Sequence, residues 1–474
     1  MEEEKKANPN IKNSTAAILA TFLSLEALGF CATGSNPLTL IGQVIFVIIA
    51  FLTFYVLFKS LSKKEITRIA IPTLLVVAFA FFQILSKTNN QIYPWYNNII
   101  SALAIVGAFL LGIFLNKYQD KKDYIFIAIF GIMAIFVFIN LIGTLFRYGF
   151  FHTLIYQNKY YFYNGQMYPL DKEVIMLTSS LLQMSEVSIT YYTLFATLLT
   201  SILPALLFIK FSDKKRFYAV LIIGIIGLLA NILLGNFISL LYLIAPFFIG
   251  VYYKFIYLKK DNKKLLKKIN LGLTIVLVSV ASLAVVFVVL LGINATNNEF
   301  RIMVANNPIL DRLFNNNRFV NVLNEAIYQI FNPRNILGID LTYGDIGEET
   351  FLAKQPYFEL EVLRSNGIFA FLILFFIVIF GIYRLRRYIE DSNDKDEYKM
   401  VITSFLIMFF SYYSFHYDSF PLVHPLGYDY YGVFSNGAFY LVFMFIGYIL
   451  LTNKEDTSNI EVKEVEVKEN EQEI

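Results

Sequence analysis

The sequence predicts an all-α polytopic integral membrane protein of about twelve transmembrane helices, with both termini cytoplasmic and a large extracytoplasmic loop between helices nine and ten. Three observations predict it. Of 474 residues, 57% are hydrophobic and only 16% charged, with a mean hydropathy of +0.58, which is more apolar surface than a soluble fold can bury. Those residues gather into twelve runs long enough to cross a bilayer. Lys and Arg concentrate in every second connection between the runs. A net charge of +3 is too weak a bias for a nucleic-acid partner. Cys31 is the only cysteine, so neither an intramolecular disulfide nor a thiolate metal cage can form.

In chain order, residues 1–14 form a cytoplasmic tail of mixed charge (Glu2, Glu3, Glu4, Lys5, Lys6) that leads into a membrane helix, with no cleavable signal expected. The runs lie near residues 15–33, 38–58, 67–85, 98–115, 124–146, 189–209, 217–234, 236–253, 271–293, 367–383, 399–415 and 434–452, so the membrane domain covers 15–452. The alternate segments Lys59–Arg68, Lys117–Lys122, Lys210–Arg216, Lys254–Lys268 and Arg384–Lys399, with the first tail, hold about 26 basic residues. The opposite connections hold about 10, which places the first set in the cytoplasm. Residues 453–474 repeat Glu, Val and Lys and have too little apolar surface to fold alone, so they read as a disordered charged tail.

Three outer loops stand out. Residues 147–188 carry Tyr156, Tyr160, Tyr161, Phe162, Tyr163 and Tyr168 ahead of a helix-like stretch from Asp171. Of these, Tyr160, Tyr161 and Tyr163 are aromatic faces available to a ring-shaped ligand, the alternative being interfacial belt anchors. Residues 294–366 form the largest loop, and loops of that length are usually functional. It contains Arg301, Arg312, Arg318, Arg334 and Arg364 on the face where positive charge is normally scarce. Guanidinium matches phosphate in a bidentate fork, so a lipid diphosphate is a natural ligand for them. The alternative is pairing with the loop's own acids, among them Asp311, Glu325, Asp340, Glu359 and Glu361. The third loop, 416–433, contains His416 and His424 and no Lys or Arg.

No convergent carboxylate or histidine cluster calls for a metal, and no cofactor is expected; Asp171 with Glu173, or Glu348 with Glu349, are the only pairs to consider. Within the large loop, a helical spacing (Arg318, Val322, Glu325, Ala326, Gln329, Ile330) ends at Asn332-Pro333-Arg334-Asn335, and Leu337-Gly338 signals a turn. A second helix-like run from Tyr357 passes through Gly367 into span ten, with Leu360, Leu363 and Ile368 as its apolar stripe and Glu359, Glu361 and Arg364 near the membrane surface.

Three stretches carry a resemblance: Asn317-Arg318-Phe319-Val320-Asn321 followed by Asn324-Glu325-Ala326-Ile327, then Phe331-Asn332-Pro333-Arg334-Asn335-Ile336-Leu337-Gly338, then Leu360-Glu361-Val362-Leu363-Arg364-Ser365-Asn366-Gly367-Ile368. In order and position the chain resembles the superfamily of O-antigen ligases and Wzy-type polysaccharide polymerases. The first stretch looks like its Arg-containing helix, the second like its Pro-x-x-x-Leu-Gly turn, and the third like its segment leading into span ten. The ligase branch begins that last segment with His-Asn, eleven residues before the glycine, where this chain has Pro356. It also carries Ser-Arg in the turn after span seven, which reads Leu234-Gly235-Asn236-Phe237 here. The resemblance therefore points to the more variable polymerase branch.

What the resemblance implies is inverting glycosyl transfer at the outer boundary of the bacterial cytoplasmic membrane. An acceptor sugar hydroxyl would attack the anomeric carbon of an oligosaccharide linked to polyprenyl diphosphate. Arg318 is the first choice to neutralise the leaving diphosphate, helped by Arg301, Arg312 or Arg364. The base that takes the hydroxyl proton stays open among Glu359, Glu361 and His424. Expected partners are the lipid-linked oligosaccharide, membrane lipids, and a chain-length regulator or flippase of the same pathway. The main rival is a flippase, although no internal repeat is evident and Glu26 is the main charge deep in a span.

Overall fold

A computed structural model of the chain describes residues 37–92, 95–117, 161–163, 166–168, 196–208, 214–233, 243–251, 297–314, 332–340, 358–390, 398–415 and 437–451, with helical residues scattered over 129–142 and 268–294. The described helices, numbered in chain order, are α1 (Pro37–Ser60), α2 (Lys63–Leu85), α3 (Lys87–Ile92), α4 (Trp95–Lys117), α5 (Leu203–Phe208), α6 (Lys214–Leu233), α7 (Ile244–Val251), α8 (Asn298–Ala305), α9 (Pro308–Phe314), α10 (Phe358–Glu390), α11 (Tyr398–Phe415) and α12 (Gly437–Leu450). The apolar run 15–33 and the tail 453–474 lie outside the described residues.

Four described helices are long and apolar enough to cross a membrane: Lys63–Leu85, Asn98–Lys117, Lys214–Ile232 and Val362–Leu385. Their outer faces match that length. On α2, Ile71 and Leu74 are 66% and 68% exposed, and α10 likewise presents Phe375, Phe376 and Ile382. Apolar stripes of this kind are stable in lipid and costly in water, so the chain has the character of a membrane protein.

The core sits around α4, which α1, α2 and α12 enclose. Ala104, Ala108 and Gly112 recur every fourth residue of α4 and leave one face without bulk. A Cβ at Gly112 would fall 1.8 Å from the Met444 carbonyl oxygen, and one at Gly447 would fall 2.1 Å from that of Phe109, so the backbones of α4 and α12 touch. One turn beyond Gly112, the Asn116 side-chain amide donates to the Tyr448 carbonyl at 2.7 Å. Buried aromatic rings fill the rest of this core, with Phe46 on Tyr440 at 6.3 Å and Phe79 on Phe443 at 5.8 Å.

A second packed unit joins residues 196–208 to α6. Asn231 donates to the Thr200 hydroxyl at 2.7 Å and to the Gly227 carbonyl at 3.2 Å, and accepts from Thr197 at 3.3 Å. These buried polar groups bond one another across the two helices, the usual role of small polar residues in an apolar bundle.

One element departs from the all-α expectation. Tyr161–Tyr163 pairs antiparallel with Gln166–Tyr168, with Tyr161 opposite Tyr168. Aromatic residues favour strands, and the dipeptide that joins them in sequence, Asn164-Gly165, is a strong hairpin signal.

Candidate functional site

The site forms where three segments distant in sequence lock together. The first is the end of α2: Ser86 leaves the helix with φ −57° and ψ 123°, and α3 starts at Lys87. The second is the turn at 332–340. Asn332 accepts the Arg334 backbone N–H at 3.1 Å, Pro333 opens a single 3-10 turn, and Gly338 closes it at φ 101°, a conformation that glycine adopts without the Cβ penalty.

The third segment is the first part of α10. The sequence reads as one continuous helix through Gly367, but Gly367 is non-helical at φ 84° and ψ 179° and breaks α10 there. A break deprives the preceding carbonyls of their donors from the next turn. The other two segments supply replacements. The Ile339 N–H donates to the Arg364 carbonyl at 2.9 Å, and the Ser86 hydroxyl donates to the Ser365 carbonyl. The Thr88 hydroxyl donates to the Ile339 carbonyl at 2.7 Å, with the Arg364 carbonyl at 3.5 Å. The Lys87 N–H donates to the Leu337 carbonyl at 2.8 Å, and its ammonium to the Arg334 carbonyl at 2.9 Å.

The two glycines face each other's segments. A Cβ at Gly338 would lie 2.3 Å from the Ser365 carbonyl oxygen, and one at Gly367 would lie 2.0 Å from that of Ile336. Beneath them, Ile339 and Leu363 are buried with Leu360, Ile368 and Phe371 against them, so the expected apolar stripe of Leu360, Leu363 and Ile368 is present. Phe82 stacks on Phe369 at 5.5 Å and fixes α2 to the far side of the break.

Polar side chains are sunk into this junction. Arg364 is 1% exposed, and Ser365 and Asn366 are fully buried. The Ser365 hydroxyl donates to Asn366 Oδ1 at 2.6 Å. Asn366 Nδ2 and Gln83 Oε1 are buried without a hydrogen-bond partner among the described residues, which leaves one donor and one acceptor to be satisfied. Lys87 and Arg334 are exposed at the rim. The junction thus brings three basic residues onto adjoining segments, Arg364 with its side chain buried and Lys87 and Arg334 exposed.

The remaining arginines are spread differently. Arg301 is exposed on α8, where its guanidinium donates to Asn298 Oδ1 at 3.1 Å, and Arg312 is carried by α9. These helices form a separate hairpin with a core of its own, around Val304 and Phe314. Glu359 and Glu361 stand in the first part of α10, before the break, and their side chains lie outside the described residues. Arg318, His424, Tyr160, Asp171, Glu173, Glu348 and Glu349 also lie outside them, while Tyr161 and Tyr163 belong to the short hairpin. Among the described residues there is no group of three or more His, Cys, Asp or Glu that could hold a metal ion.

The sequence reading did not single out Ser86, Lys87 and Thr88. Their signal was present: Ser86 to Gln91 is a polar run (Ser-Lys-Thr-Asn-Asn-Gln) between two apolar spans, and its hydroxyls and amides suit helix ends. Compared with protein-family models, curated proteins and solved structures, the chain matches none, so its own residues and geometry carry the functional reading.

Proposed function

We propose that the protein is a polymerase of polyprenyl-diphosphate-linked oligosaccharide repeat units, acting at the outer face of a bacterial cytoplasmic membrane to build a capsule, cell-wall or exopolysaccharide chain. The observation that carries this reading is the junction itself. Two of the three stretches that resemble the polymerase superfamily, Asn332–Gly338 and Arg364–Gly367, lie backbone against backbone, joined through the Ile339 N–H on the Arg364 carbonyl and through Ser86, Lys87 and Thr88, and the basic residues Lys87, Arg334 and Arg364 belong to the joined segments. Residues that serve one anionic substrate are expected to converge in this way.

In this reading the chain crosses the membrane twelve times, both termini are cytoplasmic, and residues 294–366 form the large outer loop between spans nine and ten. Arginines neutralise the diphosphate as the anomeric carbon is attacked, with Arg318 in the first role and Arg301, Arg312 and Arg364 in support. Arg364 is buried, so its support comes from beneath the surface and not from direct contact with the donor in the solvent. Glu359, Glu361 or His424 takes the proton of the acceptor hydroxyl. Tyr160, Tyr161 and Tyr163 offer aromatic faces to the glycan. Positive charge from arginines leaves the transfer with no need of a metal.

The test separates transfer from transport. Detergent-purified protein, with no membrane to cross, is expected to convert lipid-linked repeat units into longer oligomers that mass spectrometry resolves. Movement of labelled lipid-linked sugar across liposomes, with no lengthening in any assay, would replace the polymerase by a flippase. Transfer of one glycan to an unrelated acceptor without chain growth would replace it by a ligase.

A further inference from the structure

The α8–α9 hairpin closes one side with its own core: Val304 and Phe314 are buried, Leu290, Phe300 and Leu310 pack on them, and the Phe300 and Phe314 rings meet edge to face at 6.3 Å. Leu290 belongs to the preceding helical stretch 268–294, and the Asn297 N–H donates to the Ile293 carbonyl at 2.8 Å. The hairpin is therefore seated on the end of that stretch. Three large apolar side chains lie outside its core, with Ile302 61%, Met303 51% and Ile309 78% exposed.

The stretch below shows the same property, because Leu271, Ile275, Val278, Leu283, Val286 and Val289 are all more than half exposed. A surface of this kind along a helix is a lipid-facing surface. It continues to Val289, one turn before the end of the stretch, and α8 begins at Asn298. Only residues 295–297 separate the end of the stretch from α8, a reach of at most about 14 Å, which keeps α8 near the boundary of the membrane.

We propose that the α8–α9 hairpin lies on the lipid bilayer, with Ile302, Met303 and Ile309 seated where headgroups meet acyl chains and Arg301 among the headgroup phosphates. Charge and shape agree with that occupant. Arg301 is exposed beside Ile302, and its guanidinium is steadied by Asn298, which suits a phosphate oxygen. The lipid surface that the stretch 268–294 already faces is continuous with the hairpin, so no other partner is required to cover these side chains. This proposal rests on the membrane reading of the apolar helices. It adds to the proposed function that Arg301 stands at the depth at which a lipid-linked diphosphate presents its charge.

The test uses the full chain in phospholipid nanodiscs containing phosphatidylglycerol. In a Cys31→Ser background, single variants Ile302→Cys, Met303→Cys and Ile309→Cys carry an environment-sensitive fluorophore, and Val278→Cys serves as the lipid-facing reference. Quenching by doxyl-labelled lipid is compared with quenching by a water-soluble nickel chelate. The expected result is several-fold stronger quenching by lipid than by nickel at all three hairpin positions, as at Val278. Quenching by nickel alone overturns the proposal, and so does protection from both quenchers, which would mean that another part of the protein covers the face. If Val278 itself is quenched only by nickel, the membrane reading fails; if Val278 behaves as lipid-facing and the hairpin does not, only the hairpin's docking fails.

Discussion

Gly338 and Gly367 each occupy a left-handed conformation and each face a carbonyl that leaves no room for a side chain. An alanine at either position meets a backbone penalty on the order of 1–3 kcal/mol, to which the clash with the opposing segment adds. Gly338→Ala and Gly367→Ala are therefore expected to lower the melting temperature of the purified protein by several degrees, read by intrinsic fluorescence during heating. An unchanged melting curve in both would mean that the interlock carries no stability. Arg318 poses a different question, because its proposed task is chemical. Arg318→Ala, and also Arg318→Lys, should abolish polymer while leaving protein level and single repeat units intact, since an ammonium does not reproduce the planar fork of guanidinium. Normal polymer lengths on a gel in both variants would reduce Arg318 to a structural residue of its own loop.

Among the elements, α4 and α12 depend on each other most closely. Their backbones touch at Gly112 and Gly447 because neither helix carries a side chain there. Without a hydrophobic driving force between helices in lipid, such close approach supplies the packing that holds a bundle together. Gly112→Leu or Gly447→Leu has no flexible neighbour to displace, only backbone, and overpacking costs typically about 1–3 kcal/mol or more. Either variant is expected to elute as aggregate in size-exclusion chromatography, where Gly131→Leu, placed against open space, is expected to elute as the parent does. Equal behaviour of all three would show that the contact tolerates side chains. At the start of α2, Ser62 and Glu65 form a capping box, and Glu65 pairs with Lys117 of α4 at 2.7 Å. One carboxylate thus both starts a helix and ties it to the central one.

At the scale of the molecule, the orientation of the chain supports everything proposed for the outer loops. If the basic connections mark the cytoplasmic side as proposed, residues 294–366 are outside and Asn316 should be accessible from that side. In a Cys31→Ser background, Asn316→Cys is expected to react with a membrane-impermeant maleimide in intact cells. Labelling only after permeabilisation would reverse the topology and remove the proposed site from the outer face.

The sequence by itself determined what depends on local composition. Hydropathy over some twenty residues identified the runs that became α1, α2, α4, α6, α10, α11 and α12, because a bilayer tests each segment for apolar length alone. Local turn chemistry likewise showed through, as Asn332, Pro333 and Gly338 carry their conformations in their own covalent structure. The pairing of Tyr161–Tyr163 with Gln166–Tyr168 also has a local cause, since Asn-Gly lies between the two strands in the sequence. Only the tertiary structure decided that Arg364 is buried and that α10 breaks at Gly367. The break is favourable because donors from Ser86 and Ile339 are there to receive the freed carbonyls. Ser86 and Ser365 are 279 positions apart, and no periodicity along a chain encodes a hydrogen bond across that separation. Their meeting is fixed by how α2 packs on α10, which is a property of the assembled bundle.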